Sequence, residues 1–149
     1  MSNFDRLTAV LDDFHDQLAQ EPHELIGRLR NAWKSSKQEY AKVLAAGSVT
    51  KSVIASGLEQ GLRETPLVLQ SLPKEVRIAS NRALASAITR HAPDFRAKDQ
   101  ERLAKIIARG AIKSESEYYL VRHQIDVLED ANSDTSMLST LYALEHGFQ

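Results

Sequence analysis

The chain has 149 residues, of which 42% are hydrophobic, and its net charge is −1. That length fits a single domain with a sizeable core. There is no cysteine, which excludes disulfide bridges and suits a reducing compartment. The acidic N-terminal segment differs from a signal peptide, and no stretch approaches the ~18 apolar residues of a membrane span. We therefore expect a soluble cytoplasmic protein.

The first half of the chain has helical apolar spacing. The first predicted helix carries a stripe of apolar residues three and four apart, namely Phe4, Leu7, Leu11, Phe14 and Leu18. Pro22 suits the first position of a long second helix, which Gly47 is expected to end. A third helix runs from Val49 to Leu62, and Thr65-Pro66 is predicted to open a separate short helix.

The second half continues this pattern. Pro73 opens a helix that breaks at residues 91–94, and the next helix runs to Gly110. Ser114 and Glu117 have the spacing of a capping box at the start of a further helix. A turn at residues 132–134 leads to a last helix ending at Gly147. The sequence thus predicts an all-α protein, a compact single-domain bundle of seven to eight short helices spanning residues 1–149.

Charge is distributed unevenly along the chain. Residues 1–24 hold six acids and one base, and residues 124–149 hold five acids and neither lysine nor arginine. Residues 73–113 hold ten bases and four acids. Two acidic ends therefore flank a basic middle, and such an asymmetry bears on association with partners.

The sequence carries no recognisable catalytic or metal-binding pattern. The five histidines lack the spacing of metal ligands, and there is no cysteine nucleophile. Gly57 and Gly61 are not followed by the Lys-Ser/Thr pair of a phosphate-binding loop. We predict a protein that is not an enzyme and needs neither a cofactor nor a metal.

Residues 109–121, Arg-Gly-Ala-Ile-Lys-Ser-Glu-Ser-Glu-Tyr-Tyr-Leu-Val, resemble a helix opening found in many small bacterial helical proteins. Several of those are immunity proteins encoded beside polymorphic toxins, including those of contact-dependent growth inhibition. The resemblance covers about residues 109–130. It implies a cytoplasmic, non-catalytic protein that binds and blocks a cognate toxin domain, commonly a nuclease with a basic substrate groove. It assigns no functional residue.

The leading hypothesis is therefore an immunity-type protein that neutralises a basic toxin domain through an acidic surface. If the two ends of the chain come together, their carboxylates merge into one patch that steers a basic partner. The predicted contact residues are Asp12, Asp13, Asp16, Glu21, Glu24, Asp126, Glu129, Asp130 and Asp134.

The alternative is a helical nucleic-acid-binding transcriptional regulator that uses the basic segment 73–113. Clustered arginines on a helix face can contact phosphates and make binding strongly dependent on salt. The residues predicted for this role are Arg77, Arg82, Arg90, Arg102 and Arg109. Neither hypothesis involves a membrane, and the sequence leaves the oligomeric state open.

Overall fold

A computed structural model describes the backbone of residues 2–131 and 135–148, and the side chains of residues 2–129 and 135–148. In this part of the chain the regular secondary structure consists of seven α-helices, which confirms the predicted all-α class. The chain divides into two compact units, an N-terminal unit, Met1–Ala92, and a C-terminal unit, Pro93–Gln149. The prediction of a single domain stays a prediction.

The N-terminal unit contains four helices. They are α1 (Asn3–Gln17), α2 (Glu24–Ala45), α3 (Lys51–Leu69) and α4 (Lys74–His91). Helix α1 packs against both α3 and α4 and buries Leu7, Val10 and Phe14. Arg6 Nε donates to the His91 carbonyl and Gln17 Nε2 to the Ala83 carbonyl, each at 3.4 Å, so α1 and α4 run in opposite directions.

The C-terminal unit contains α5 (Pro93–Arg109), α6 (Glu115–Ala131) and α7 (Thr135–Phe148). Its core consists of apolar side chains from all three helices and from the α5–α6 connection, namely Leu103, Ile106, Ile112, Val121, Ile125, Leu141 and Leu144. Tyr118 near the start of α6 stacks on Phe148 at the end of α7, with ring centroids 5.5 Å apart. Helices α6 and α7 are therefore antiparallel.

The helix ends agree with the sequence at most positions. Gly47 and Gly110 have φ of +72° and +78°, the left-handed conformation expected of a residue that ends a helix. Pro73 precedes α4, as predicted. Ser114 Oγ accepts from the Glu117 N–H at 3.2 Å, but the Glu117 carboxylate reaches one residue further back than a capping box requires and accepts from the Lys113 N–H at 2.8 Å.

Three predicted boundaries are wrong. Helix α2 begins at Glu24 instead of Pro22, because His23 Nδ1 accepts the Leu25 N–H and acts as the N-cap. Helix α3 continues through Pro66 to Leu69. A proline inside a helix costs about 3 kcal/mol, and the complete burial of Leu69 one turn later offsets part of this cost. Gly147 lies inside α7, which extends to Phe148.

Candidate protein-binding surfaces

Asp12, on α1, forms part of the contact between α1 and α2. Its Oδ1 accepts hydrogen bonds from Trp33 Nε1 and from Lys37 Nζ, both at 2.8 Å. Lys37 Nζ also lies 5.7 Å from the centre of the Trp33 ring. The negative charge of Asp12 is therefore balanced by a lysine of the same unit.

Asp13 joins α1 to the last turn of α4. Its Oδ2 lies 2.7 Å from Arg90 Nη1 and 3.0 Å from His91 Nε2, and its Oδ1 accepts from Gln17 Nε2 at 3.1 Å. The side chain is only 15% exposed. A residue this enclosed and paired joins the two helices, and its assignment to a contact patch stays a prediction.

The other three predicted acids of the N-terminal unit are more accessible. Asp16 and Glu24 are exposed, whereas Glu21 is half-buried and accepts the His23 N–H at 3.2 Å. Together with Asp12, these residues leave a narrower acidic surface than the sequence predicted, centred on the C-terminal end of α1 and the start of α2.

A denser group of charges lies between α6 and α7, and we call it the Arg122 cluster: Arg122, Asp126, Glu129, Tyr142 and Glu145. The Arg122 guanidinium donates through Nη1 to both Glu145 oxygens, at 3.1 and 2.9 Å. Its Nη2 donates to Asp126 at 2.8 Å and to Glu129 at 3.4 Å. Three carboxylates thus converge on the Arg122 guanidinium.

The Arg122 cluster is held in place by its own hydrogen bonds. Burial alone would lower the pKa of Arg122, but the bonds to Asp126 and Glu145 outweigh this effect and raise that pKa above its ordinary value. Tyr142 Oη donates to Glu129 Oε2 at 2.6 Å, and this bond raises the pKa of the Tyr142 hydroxyl. Because these groups are fixed before any partner arrives, little side-chain entropy would be lost on binding.

Exposure within the Arg122 cluster separates two roles. The Asp126 side chain is 3% exposed and bonds Arg122 from the buried side, and its assignment as a contact residue stays a prediction. Glu129 is 44% exposed and Tyr142 is 42% exposed, so these two can meet a partner. Arg122, Tyr142 and Glu145 were not among the residues predicted from the sequence. The spacing of Arg122, Asp126 and Glu129 by four and seven residues was a usable signal, since it places them on one helix face.

Two predicted acids cannot be placed. Asp134 and the Asp130 side chain lie outside the described residues. The acids near α1 and those near α6 belong to different units. The idea that they merge into one patch therefore stays a prediction.

Three of the arginines proposed for nucleic-acid binding make contacts inside their own unit. Arg90 binds Asp13 and also donates to Ser86 Oγ at 3.3 Å. Arg102 donates to Ser116 Oγ at 3.2 Å, and Arg109 binds the Ala111 carbonyl and the Glu117 carboxylate. Arg77 and Arg82 also have partners. To contact a phosphate, each of these arginines would have to share or break its existing contacts.

Each unit also contains a histidine whose Nδ1 is shielded from solvent and has no hydrogen-bond partner. Burial, and to a smaller extent Arg30, lowers the pKa of His15 to about 4. Burial likewise lowers the pKa of His123 to about 4, with Asp126 opposing and Arg96 adding to the effect. Both imidazoles are therefore neutral near pH 7.

Among the described side chains, no group of three histidines or carboxylates is placed to hold a metal ion. No helix within residues 2–131 and 135–148 is both long and apolar enough to cross a membrane. Comparisons with protein-family models, with curated proteins and with solved structures gave no significant match.

Proposed function

We propose that this protein is an immunity-type inhibitor that binds and neutralises a basic toxin domain, such as a nuclease. The observation that carries the proposal is the Arg122 cluster, in which three carboxylates surround one arginine next to an exposed tyrosine. The carboxylates of this cluster are complementary to the basic groove with which a nuclease binds its substrate. The proposal places this interaction in the cytoplasm.

Two residues are expected to face the partner. Glu129 supplies the charge, and Tyr142 supplies a rigid aromatic side chain of the type enriched at the centres of interfaces. Asp126 is not expected to touch the partner, because it is buried beneath Arg122. Asp16 and Glu24 in the N-terminal unit are a second, weaker acidic region, since Lys37 already balances the neighbouring Asp12.

The test starts from the gene directly upstream, which the proposal expects to encode a large secreted protein with a variable C-terminal domain. Expression of that domain alone should arrest growth, and co-expression of this protein should restore it. Association of the two purified proteins should be fast at low ionic strength and slow as salt is added.

Charge-reversal variants locate the contact. Glu129→Lys should slow association by about tenfold or more at low salt, because it turns the surface toward positive charge. Glu101→Lys is a matched control, since Glu101 is an exposed acid of the same unit on α5. Asp16→Lys tests the N-terminal acids in the same way. Equal association rates for Glu129→Lys and Glu101→Lys would show that the Arg122 cluster does not lie in the interface.

A gel-shift assay at two salt concentrations addresses the alternative. An immunity protein should leave a nucleic-acid duplex unshifted at both. A shift that weakens steeply with salt would support the regulator hypothesis instead.

A further inference from the structure

His15 occupies the contact between α1 and α2. Its side chain is 9% exposed, with ring centroids 5.0 Å from Phe14 and 6.3 Å from Trp33. The imidazole and the Trp33 ring are nearly parallel, at 17°. Because Nδ1 has no hydrogen-bond partner, the surroundings offer no group to receive a second ring proton at that atom.

The attachment of α2 to α1 is concentrated near this histidine. Arg30 Nε donates to the His15 carbonyl at 3.1 Å, and Trp33 Nε1 donates to Asp12 at 2.8 Å. Although α2 has 22 residues, its buried side chains are Ile26 and Trp33. A disturbance at the His15–Trp33 stack therefore affects many of the contacts that attach α2 to α1.

The charges around the imidazole come from both helices. Arg30 and Lys37 on α2 oppose a positive charge on His15, whereas Asp12 and Asp16 on α1 favour one. Asp12 is already bonded to Trp33 and Lys37. Protonation would consequently place a new cation beside Arg30 in a site shielded from water.

We infer that the α1–α2 contact is an acid-sensitive joint, in which protonation of His15 releases α2 while α1, α3 and α4 stay packed. This inference is independent of the proposed inhibitory function. It concerns a conformational property of the N-terminal unit alone.

The direction with pH follows from proton linkage. In the docked state the pKa of His15 is about 4, whereas an exposed histidine has a value of 6.5. Above pH 6.5 the imidazole is neutral whether α2 is docked or released. As the pH falls below 6.5 the released state takes up the proton first, so the ratio of released to docked α2 should rise, by roughly 80-fold between pH 6.5 and 4 and toward a limit of roughly 300-fold at lower pH. Well below pH 4 this group adds no further change.

Hydrogen exchange measured by mass spectrometry tests the joint in the intact protein. After correction for the pH dependence of intrinsic exchange, protection in α2 (residues 24–45) should fall steeply between pH 6.5 and 4. Protection in α3 (residues 51–69) should change much less. Trp33 is the only tryptophan, so its fluorescence reports the same contact independently.

Three variants make the inference falsifiable. His15→Phe keeps an aromatic ring against Trp33 and removes the titrating group, so the selective acid loss of protection in α2 should disappear. His15→Gln serves the same purpose if the phenylalanine variant does not fold. His123→Phe is the matched control and should leave the α2 response unchanged. If α2 still loses protection selectively in the His15 variants, or if α2 and α3 open together in the wild type, the joint does not exist.

Discussion

The acidic residues of α1 and those of α6 and α7 look alike in the sequence but differ in their surroundings. In the N-terminal unit, Asp12 has Lys37 beside it, and Asp13 has Arg90 and His91. In the C-terminal unit, three carboxylates converge on Arg122. The first arrangement gives each acid its own basic partners, whereas the second gathers three carboxylates around one arginine next to an exposed tyrosine.

This difference shows why counting charges along a chain does not locate an acidic surface. Arg90 is 77 residues from Asp13 in sequence and still binds it, which no local count reveals. Arg122, by contrast, is followed by Asp126 and Glu129 on the same helix. If the two regions differ in energetics as they do in geometry, substitutions in them should change the free energy of unfolding by different amounts.

The largest effect is expected from Arg122→Ala. The substitution removes the guanidinium to which the buried carboxylate of Asp126 is bonded and takes the same cation from Glu129 and Glu145, so we expect a loss of about 3 to 4 kcal/mol in the free energy of unfolding. Urea denaturation measures this loss. The double variant Arg122→Ala/Asp126→Asn also removes the negative charge of Asp126 and should recover part of it. A loss below about 1 kcal/mol would mean that the Arg122 cluster behaves like an ordinary surface pair.

A somewhat smaller effect is expected from acid. Because the pKa of His123 is lowered to about 4 by burial, the folded state keeps the imidazole neutral while the unfolded state is protonated below 6.5. Above pH 6.5 this group does not reduce the free energy of unfolding. As the pH approaches 4, it lowers the free energy of unfolding by about 2 to 3 kcal/mol. Urea titrations of the wild type and His123→Gln at pH 7 and pH 4.5 should show a weaker pH dependence in the variant; identical slopes would contradict the assignment.

A loss of about 1 kcal/mol is expected when the paired acids of α1 lose a partner. Arg90 is 59% exposed, so Arg90→Ala removes a bond that water largely replaces, and His91 still contacts Asp13. Urea denaturation of Arg90→Ala and Arg122→Ala side by side compares the loss in the free energy of unfolding in the two regions directly. If Arg90→Ala costs as much as Arg122→Ala, the distinction between them fails.

The smallest effect is expected from Glu101→Ala. Glu101 and Lys105 form a pair on α5 in which both side chains are at least 70% exposed, with 3.8 Å between the charged atoms. Such pairs contribute less than about 0.5 kcal/mol. A thermal melt indistinguishable from that of the wild type would confirm this baseline, and a clear drop in melting temperature would show an additional contact.

The helices were largely predictable from the sequence because their signals are local. The apolar stripe of α1, the caps at Gly47 and Gly110, and the capping serine at Ser114 act within a turn or two of chain. The prediction failed at Pro66, where the local rule for proline was overridden. Leu69 stays on the buried face of α3, and its burial offsets part of the cost of the proline.

The candidate surface was less predictable. Glu129 was identified and is exposed, whereas Asp13 and Asp126 are largely buried and bonded to Arg90 and Arg122, respectively. Tyr142 and Glu145 were missed because each lies beside the Arg122 cluster residues of α6 only when α6 and α7 are antiparallel.

By itself, then, the sequence determined the helical class, most helix ends and the presence of excess acid near both ends of the chain. These properties depend on backbone geometry and on residue types close together in sequence. Only the tertiary structure decided which basic side chains each acid contacts. That outcome depends on the side chain that the packing of each helix brings within hydrogen-bond distance, and a carboxylate's partner can be four residues away or 77.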